Sequence, residues 1–129
     1  MLEVICAIIV DHLSSKVFVA QRGLSMKMPL KFEFPGGKME LGETPSECLV
    51  REIKEELNLS IVVLEELSPN IHSYPEFIIK LVPFICHIIG GEIVLKEHAT
   101  YLWLVPADLL NLDWAEADIP ILKNYLASL

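Results

Sequence analysis

The segment from Gly36 to Leu59, GGKMELGETPSECLVREIKEELNL, combines a glycine pair, a helix start signal and a dense group of acidic residues. Thr44, Pro45 and Glu47 form a capping box with proline at the first helical position, which predicts that a helix begins here. The helix is expected to end at Asn58, because asparagine tolerates the left-handed backbone conformation common at helix ends. This segment therefore predicts one well-bounded helix.

The predicted helix has two faces of opposite character. Glu52, Glu55 and Glu56 are spaced at i, i+3 and i+4, so their like charges share one face and repel by about 0.2–0.5 kcal/mol per pair. Such a cluster is either fully solvated or neutralised by a cation, and carboxylate oxygens without nearby Cys or His suit Mg²⁺ or Mn²⁺. Another face has an apolar stripe that should be buried, formed by Leu49, Ile53 and Leu57.

The spacing of these residues resembles the Nudix hydrolase signature, G-x5-E-x7-R-E-U-x-E-E-x-G-U, in which U is aliphatic. Gly37, Glu43 and the run from Arg51 to Glu56 match it, and Leu59 fills the last aliphatic place. The one departure is Asn58, which replaces the final glycine and is the mildest replacement at a helix end. The resemblance is close over residues 33–59 and looser towards both ends of the chain.

The resemblance implies an α/β (α+β) fold, the Nudix α/β/α sandwich, with a mixed β-sheet between the signature helix and the C-terminal helix, in one domain spanning residues 1–129. The sequence is compatible with that design. Strands are predicted at Leu2–Val10 with a hairpin partner at Lys16–Gln21, at Ser60–Leu67, at Ser73–Ile89, at Glu92–Leu95 after a tight Gly90-Gly91 turn, and at Thr100–Val105. A short helix is predicted from Pro106 to Leu110, followed by a last helix with a buried stripe of Ile119, Leu122, Tyr125, Leu126 and Leu129.

Composition limits the compartment and the partners. The chain has 129 residues, 53% hydrophobic, with a net charge of −8 and three cysteines. The negative charge argues against polynucleotide binding, and the longest apolar run, Phe77 to Ile89, is too interrupted to span a membrane. The start of the chain contains Glu3 and lacks the basic region of a signal peptide. Cys6, Cys48 and Cys86 have apolar neighbours, which favours reduced thiols in a cytoplasmic protein.

For the metal site, the resemblance implies that Glu52, Glu55 and Glu56 are the main ligands of two or more Mg²⁺ ions, with Mn²⁺ as a substitute. The carbonyl of Gly37 and the carboxylate of Glu97 would support them, although Glu97 taken alone is an ordinary loop carboxylate. Arg51 would orient the glutamates by bridging Glu47 or Glu55 one turn away. Glu43 is a further base or ligand, and the residue that takes the proton is left open.

The resemblance to MutT-type members also implies a set of substrate-binding residues: Arg22, Glu33, Phe34, Lys38, Tyr74, Phe77 and Asp118. Arg22 matches an arginine that meets the substrate phosphates, although composition alone favours a surface residue there. Lys38 is equally typical of a phosphate contact and of a solvated lysine. Phe77 stands where MutT-type chains have arginine, so it is either core or the lining of a more apolar base pocket.

Asp118 has two explanations at this stage. It occupies the N-cap position of the last helix, and capping alone would account for it. The motif A-D-I-P also stands where MutT-type chains carry A-N-x-P, whose Asn reads the purine edge, and it resembles still more closely the CTP-pyrophosphohydrolase-like members, which carry A-D-I-P. An ionised Asp only accepts hydrogen bonds, whereas a buried one with a raised pKa can also donate. Modified cytosine and oxidised guanine therefore both stay open.

Together these features predict Mg²⁺-dependent hydrolysis of a modified or oxidised nucleoside triphosphate to the monophosphate and pyrophosphate, in nucleotide-pool sanitation. The expected partner is a small-molecule nucleotide, and the protein is expected to be a monomer or a homodimer. Two alternatives leave the signature unchanged or nearly so. One is a Nudix enzyme for ADP-ribose or dinucleotide polyphosphates, and the other is a catalytically inactive nucleotide-binding regulator.

Overall fold

In the computed structural model, which describes residues 1–129, the regular structure consists of two β-sheets, two α-helices and two short 3-10 helices. The strands are β1 (Leu2–Ile9), β2 (Val17–Gln21), β3 (Phe32–Glu33), β4 (Gly36–Gly37), β5 (Leu59–Glu66), β6 (Asn70–Ser73), β7 (Ile78–Gly91) and β8 (Thr100–Leu104). The helices are α1 (Pro45–Leu57) and α2 (Ile119–Ala127), with 3-10 turns at Pro106–Asn111 and Glu116–Asp118.

Strand β1 contributes side chains to the apolar clusters on both faces of the mixed sheet. It runs parallel to β7 and antiparallel to β4. Ile5, Ala7 and Ile9 face an apolar cluster shared with α1, whereas Cys6 and Ile8 face a second cluster shared with α2. The mixed sheet therefore lies between the two helices, as predicted, and a near-continuous apolar run is what a strand covered on both faces requires.

The predicted β1–β2 hairpin is wrong. Apart from one bridge between Val10 and Val17, β2 leaves β1 and joins a second sheet in the order β3-β2-β8. A strand has only two edges, and those of β1 are already occupied by β4 and β7. The second sheet positions Glu33 and the loop before it beside the mixed sheet.

Helix α1 has the predicted ends. Thr44 Oγ1 accepts from the Glu47 backbone N at 3.2 Å, and Glu47 Oε1 accepts from the Thr44 N at 2.9 Å. Asn58 ends the helix with φ 58°. Of the two partners predicted for Arg51, Glu47 is not the one used, because its carboxylate closes the capping box. The predicted stripe of Leu49, Ile53 and Leu57 is fully buried.

The predicted Gly90-Gly91 turn is also wrong. Both glycines continue β7 and pair with β5, and the segment 92–95 is not a strand. This segment instead crosses the C-terminal end of α1, where Val94 N donates to the Leu57 carbonyl at 3.0 Å. A helix leaves its last carbonyls without internal partners, so a chain passing that end can satisfy them.

Smaller differences occur in the second half of the chain. The predicted strand 73–89 is divided into β6 and β7 by a turn in which Tyr74 N donates to the Phe77 carbonyl at 2.8 Å. This turn brings both aromatic side chains to the edge of a pocket. In the last helix Leu122 and Tyr125 are buried as predicted, but Leu129 is 70% exposed. Neither α-helix has the length and apolar composition needed to cross a membrane.

Candidate active site

A pocket of about 290 Å³ lies between the two sheets and the helix α1. Glu56 and Asp118 both line it. The lining includes all of the residues predicted to bind substrate, namely Arg22, Glu33, Phe34, Lys38, Tyr74, Phe77 and Asp118. Apolar walls are supplied by Leu2, Val4, Met26, Met28, Ile79 and Leu81.

Glu56 forms the acidic end of this pocket. Its Oε2 atom is buried and has no hydrogen-bond partner, and no salt bridge involves its carboxylate. Burial, followed by the charges of Glu52, Glu33 and Glu97, raises the pKa of Glu56 from 4.5 to about 9. The side chain also lies against Glu52, with which it can hydrogen-bond only if one of the two carboxyls holds a proton.

Arg51 bonds to three neighbouring carboxylates, two on α1 and one in the loop before it. Its Nε and Nη2 donate to the two oxygens of Glu43 at 2.6 and 2.9 Å. Its Nη1 donates to Glu52 at 2.9 Å and to Glu55 at 3.2 Å, and Nη2 also donates to the Lys38 carbonyl at 3.1 Å. The hydrogen bond from Arg51 is the main reason that the pKa of Glu43 falls from 4.5 to about 2. The predicted bridge from Arg51 to Glu55 is present.

The glycine pair allows β4 to fit between β1 and α1. A Cβ atom on Gly36 would lie 1.9 Å from the carbonyl oxygen of Ile5. One on Gly37 would lie 2.3–2.6 Å from the carboxylate atoms of Glu52. The Gly37 carbonyl is 3.8 Å from Cys48 Sγ, which can donate a weak hydrogen bond to it. Only glycine permits this approach of β4 to the acidic residues.

Glu33 lies in the pocket wall and has both carboxylate oxygens occupied. Oε1 accepts from Arg22 Nη1, and Oε2 is 2.8 Å from His98 Nε2. The Nε of Arg22 also donates to the Lys27 carbonyl, so the same arginine fixes the loop that covers the pocket. In this structure Arg22 is thus engaged by protein groups.

Asp118 also lines the pocket and is buried. Its Oδ2 accepts from the Phe34 backbone N at 3.0 Å, and it makes no capping bond to α2. Capping is therefore the wrong explanation for this residue. Burial, and then the charge of Glu33, raise the pKa of Asp118 well above its ordinary value. Beside it, the hydroxyl of Tyr74 accepts from the Ala117 N at 2.9 Å.

The model of the NUDIX domain family matches residues 2–125 of the chain. The chain belongs to the Nudix family. It is 33% identical over 127 residues to the CTP pyrophosphohydrolase of Escherichia coli (strain K12). That alignment covers 98% of this chain and 93% of the relative. It is 37% identical over 96 residues to the 8-oxo-dGTP diphosphatase of Proteus vulgaris, and the alignment covers 74% of this chain and 85% of the relative.

A solved structure confirms the predicted Nudix fold. The NMR structure of the DNA mismatch repair protein MutT from methicillin-resistant Staphylococcus aureus 252 aligns with a TM-score of 0.77 and 35% sequence identity. The alignment covers 98% of this chain and 96% of that one. The α/β/α arrangement predicted from the Nudix signature is thus the arrangement of the molecule.

Nudix hydrolases generally need divalent metal ions, and the donors at the acidic end suit one. The unpartnered, buried Oε2 of Glu56 is a hard oxygen donor placed against a second carboxyl, which suits a hard cation. No group of three or more His, Cys, Asp or Glu side chains is already gathered to hold an ion. The reason is visible at Arg51, which holds Glu52 and Glu55 through its own hydrogen bonds.

Some of the Nudix signature residues line the pocket, and others lie on the surface of α1. Glu56 lines the pocket, whereas Glu55 lies on the helix surface with 59% of its side chain exposed, bonded to Arg51. Glu97 is exposed, yet close enough for its charge to act on the pKa of Glu56. Lys38 is an exposed residue at the pocket rim. The structure thus brings the predicted ligands to one end of α1 without closing them into a single cluster.

Two features of the site could not be found from the sequence. His98 has a side chain only 2% exposed and contacts Glu33, although a single histidine in a loop gives no such signal. The loop residues Met26 and Met28 line the pocket, and Lys27 Nζ lies 4.6 Å from the centroid of the Phe77 ring. The two loops that meet in this contact are far apart in the sequence, and no local pattern predicts it.

Proposed function

We propose that this Nudix protein hydrolyses a nucleoside triphosphate with a modified or oxidised base to the monophosphate and pyrophosphate, using Mg²⁺, with Mn²⁺ as a substitute. The observation that carries the proposal is that one pocket is lined both by Glu56, which has an unpartnered oxygen, and by Asp118 together with apolar and aromatic side chains. The names of the related proteins, a CTP pyrophosphohydrolase and an 8-oxo-dGTP diphosphatase, support the same substrate class.

At the acidic end, Glu52, Glu55 and Glu56 would hold the metal, with support from the Gly37 carbonyl and Glu97. A divalent ion, when bound there, neutralises phosphate charge and lowers the pKa of water. The Glu56 oxygen that lacks a partner would then have one. Phosphates entering an acidic site need this neutralisation, since the chain itself has a net charge of −8.

In the reaction, a water oxygen bonds to one phosphorus of the bridge between the monophosphate and pyrophosphate parts, and the bond from that phosphorus to the bridging oxygen breaks. The departing phosphate group takes the electron pair, and the proton released by water passes to a carboxylate. Glu43 is poorly suited to receive it, because both of its oxygens accept hydrogen bonds from Arg51. The role of Glu43 is better explained as holding Arg51, which in turn orients Glu52 and Glu55.

At the other end, Asp118 would contact the edge of the base, with Tyr74 and Phe77 beside it. Its Oδ2 already accepts a hydrogen bond from Phe34, so Oδ1 is the oxygen left for the substrate. A carboxyl in this buried place favours the protonated acid, which can donate a hydrogen bond that a carboxylate cannot. Modified cytosine and oxidised guanine both offer acceptors for such a donor.

We expect the protein to act in the cytoplasm, since its cysteines are all free and buried: Cys6, Cys48 and Cys86. Disulfide-free buried thiols fit a reducing compartment. A monomer and a homodimer are both compatible with this pocket, which one chain lines by itself. Sedimentation or light scattering of the purified protein distinguishes the two.

The test is product analysis with and without Mg²⁺ for 8-oxo-dGTP, 5-methyl-dCTP, CTP, dATP, ADP-ribose and a diadenosine polyphosphate. Mg²⁺-dependent release of pyrophosphate from one triphosphate is the expected result, and it names the base. Turnover confined to ADP-ribose or the dinucleotide would overturn the triphosphate proposal and leave a Nudix enzyme of another substrate. Tight nucleotide binding without any turnover would instead indicate a regulator.

A further inference from the structure

We propose that His98 is a positioning residue that fixes the Glu33 carboxylate in the pocket wall and thereby sets nucleotide affinity. The inference rests on the proposed function for its kinetic test, but not for its structural one. His98 belongs to neither the signature nor any predicted site. The proposal starts from the buried imidazole of His98, which has one nitrogen against the Glu33 carboxylate and the other without a partner.

The contact itself defines the direction of the hydrogen bond. His98 Nε2 and Glu33 Oε2 are 2.8 Å apart, and the two side chains are 2% and 13% exposed. A carboxylate oxygen accepts, so Nε2 has the proton and donates it. Nδ1 of the same ring is buried and unpartnered. The ring is therefore placed by its contact with Glu33.

The backbone around His98 is anchored on both sides. Lys96 N donates to the carbonyl of Glu56 at 3.2 Å, and Ala99 N donates to the carbonyl of Gln21 at 2.9 Å. The segment thus connects the end of α1 with the end of β2. A side chain between these two anchors has little freedom to move away from Glu33.

The charge of Glu33 acts on two other acidic residues of the pocket. It contributes to the raised pKa of Glu56 and to that of Asp118. Arg22 holds its Oε1 and His98 its Oε2, so the carboxylate is fixed from two sides. Without His98, Glu33 would keep only the bond to Arg22 and could rotate into the space that the nucleotide needs.

A matched pair of amides tests this role. In His98→Gln the amide nitrogen can reach about as far as Nε2, whereas in His98→Asn it reaches only as far as Nδ1. His98→Asn should raise KM for the preferred triphosphate about tenfold, as expected for a lost hydrogen bond to a charged group. The value of kcat should stay close to wild type, and His98→Gln should restore most of the affinity.

Equal kinetic constants for the two variants, or a fall in kcat with unchanged KM, would overturn the positioning role. Because either variant could fail to fold, the wild-type protein provides a second test. Nitrogen-15 NMR of the histidine rings should show His98 with the proton on Nε2 and a slowly exchanging signal that shifts in Glu33→Gln. A proton on Nδ1, or a signal unmoved by Glu33→Gln, would refute the inference even if no triphosphate is turned over.

Discussion

Carboxylates on helix α1 and in the loop before it lie in opposite electrostatic conditions. Glu43 and Glu55 are bonded to Arg51, and the pKa of Glu43 falls to about 2. Glu56, by contrast, has a buried oxygen without a hydrogen-bond partner and is in no salt bridge, and its pKa rises to about 9. The protein itself neutralises the carboxylates bonded to Arg51, whereas Glu56 is neutralised only by a proton or by a cation from solution.

The largest effect is expected from Glu56→Gln, which removes the charge that the protein leaves unpaired. If this group helps to hold the metal, kcat/KM should fall by about 10²–10⁴-fold, since bound metal is worth several kcal/mol at the transition state. Glu66→Gln, on the exposed end of β5, is the control and should keep wild-type activity. Steady-state kinetics that show similar activity for both variants would contradict the contrast.

Gly37→Ala and Gly36→Ala separate catalysis from folding. A methyl group on Gly37 meets only the end of the Glu52 side chain, which can move, whereas one on Gly36 meets the backbone of Ile5. Gly37→Ala should lower kcat/KM by up to about 10²-fold through displacement of Glu52, with little loss of stability. Gly36→Ala should mainly lower the melting temperature. Gly37→Ala should therefore show the larger loss of kcat/KM, and Gly36→Ala the larger fall in melting temperature.

Arg51→Lys tests the carboxylates that the protein itself neutralises. Lysine keeps the charge but cannot donate to Glu43, Glu52 and Glu55 together, because it lacks the planar fork of donors. A loss of about 10–100-fold in activity is expected, as for residues that orient metal ligands. The Mg²⁺ concentration for half-maximal rate should also increase. Unchanged metal dependence in Arg51→Lys would mean that Arg51 does not orient the glutamates.

A separate effect concerns the pH dependence of stability without metal. Glu56 has a raised pKa in the folded state, so its contribution is complete below about pH 4.5 and is lost as pH rises towards about 9. Glu43 has a lowered pKa, so its contribution is present above about pH 4.5 and is lost as pH falls towards about 2. Thermal unfolding should show maximal stability near pH 5. Glu56→Gln should flatten the decline at higher pH, leaving a remainder due to Asp118, whose pKa is also raised.

Local patterns predicted one part of the molecule well. The ends of α1, its buried stripe and the burial of β1 on both faces follow from residues close together in the sequence, so capping and periodicity suffice. The Nudix resemblance then predicted the sandwich and the set of residues that line the pocket.

The remainder depends on contacts between distant segments. The β1–β2 hairpin was wrong because β1 had both edges occupied by strands that follow later in the chain. Glu33 and His98 are 65 residues apart and meet only through the second sheet. The protein partners of Arg22 and Asp118 are likewise set by tertiary packing: Arg22 bonds to Glu33, and Asp118 accepts from the Phe34 backbone instead of capping the last helix.

Direct binding of Mn²⁺, followed by electron paramagnetic resonance, tests the central contrast most directly. Wild type, Glu56→Gln and Glu43→Gln should be titrated at the same pH above 7. We predict that Glu56→Gln weakens Mn²⁺ binding by about tenfold or more. Glu43→Gln should weaken it less, because glutamine keeps one of the two oxygens that accept from Arg51, and Arg51 keeps its bonds to Glu52 and Glu55. Equally weakened Mn²⁺ binding in both variants, or weaker binding in Glu43→Gln, would contradict the assignment of the metal to Glu56.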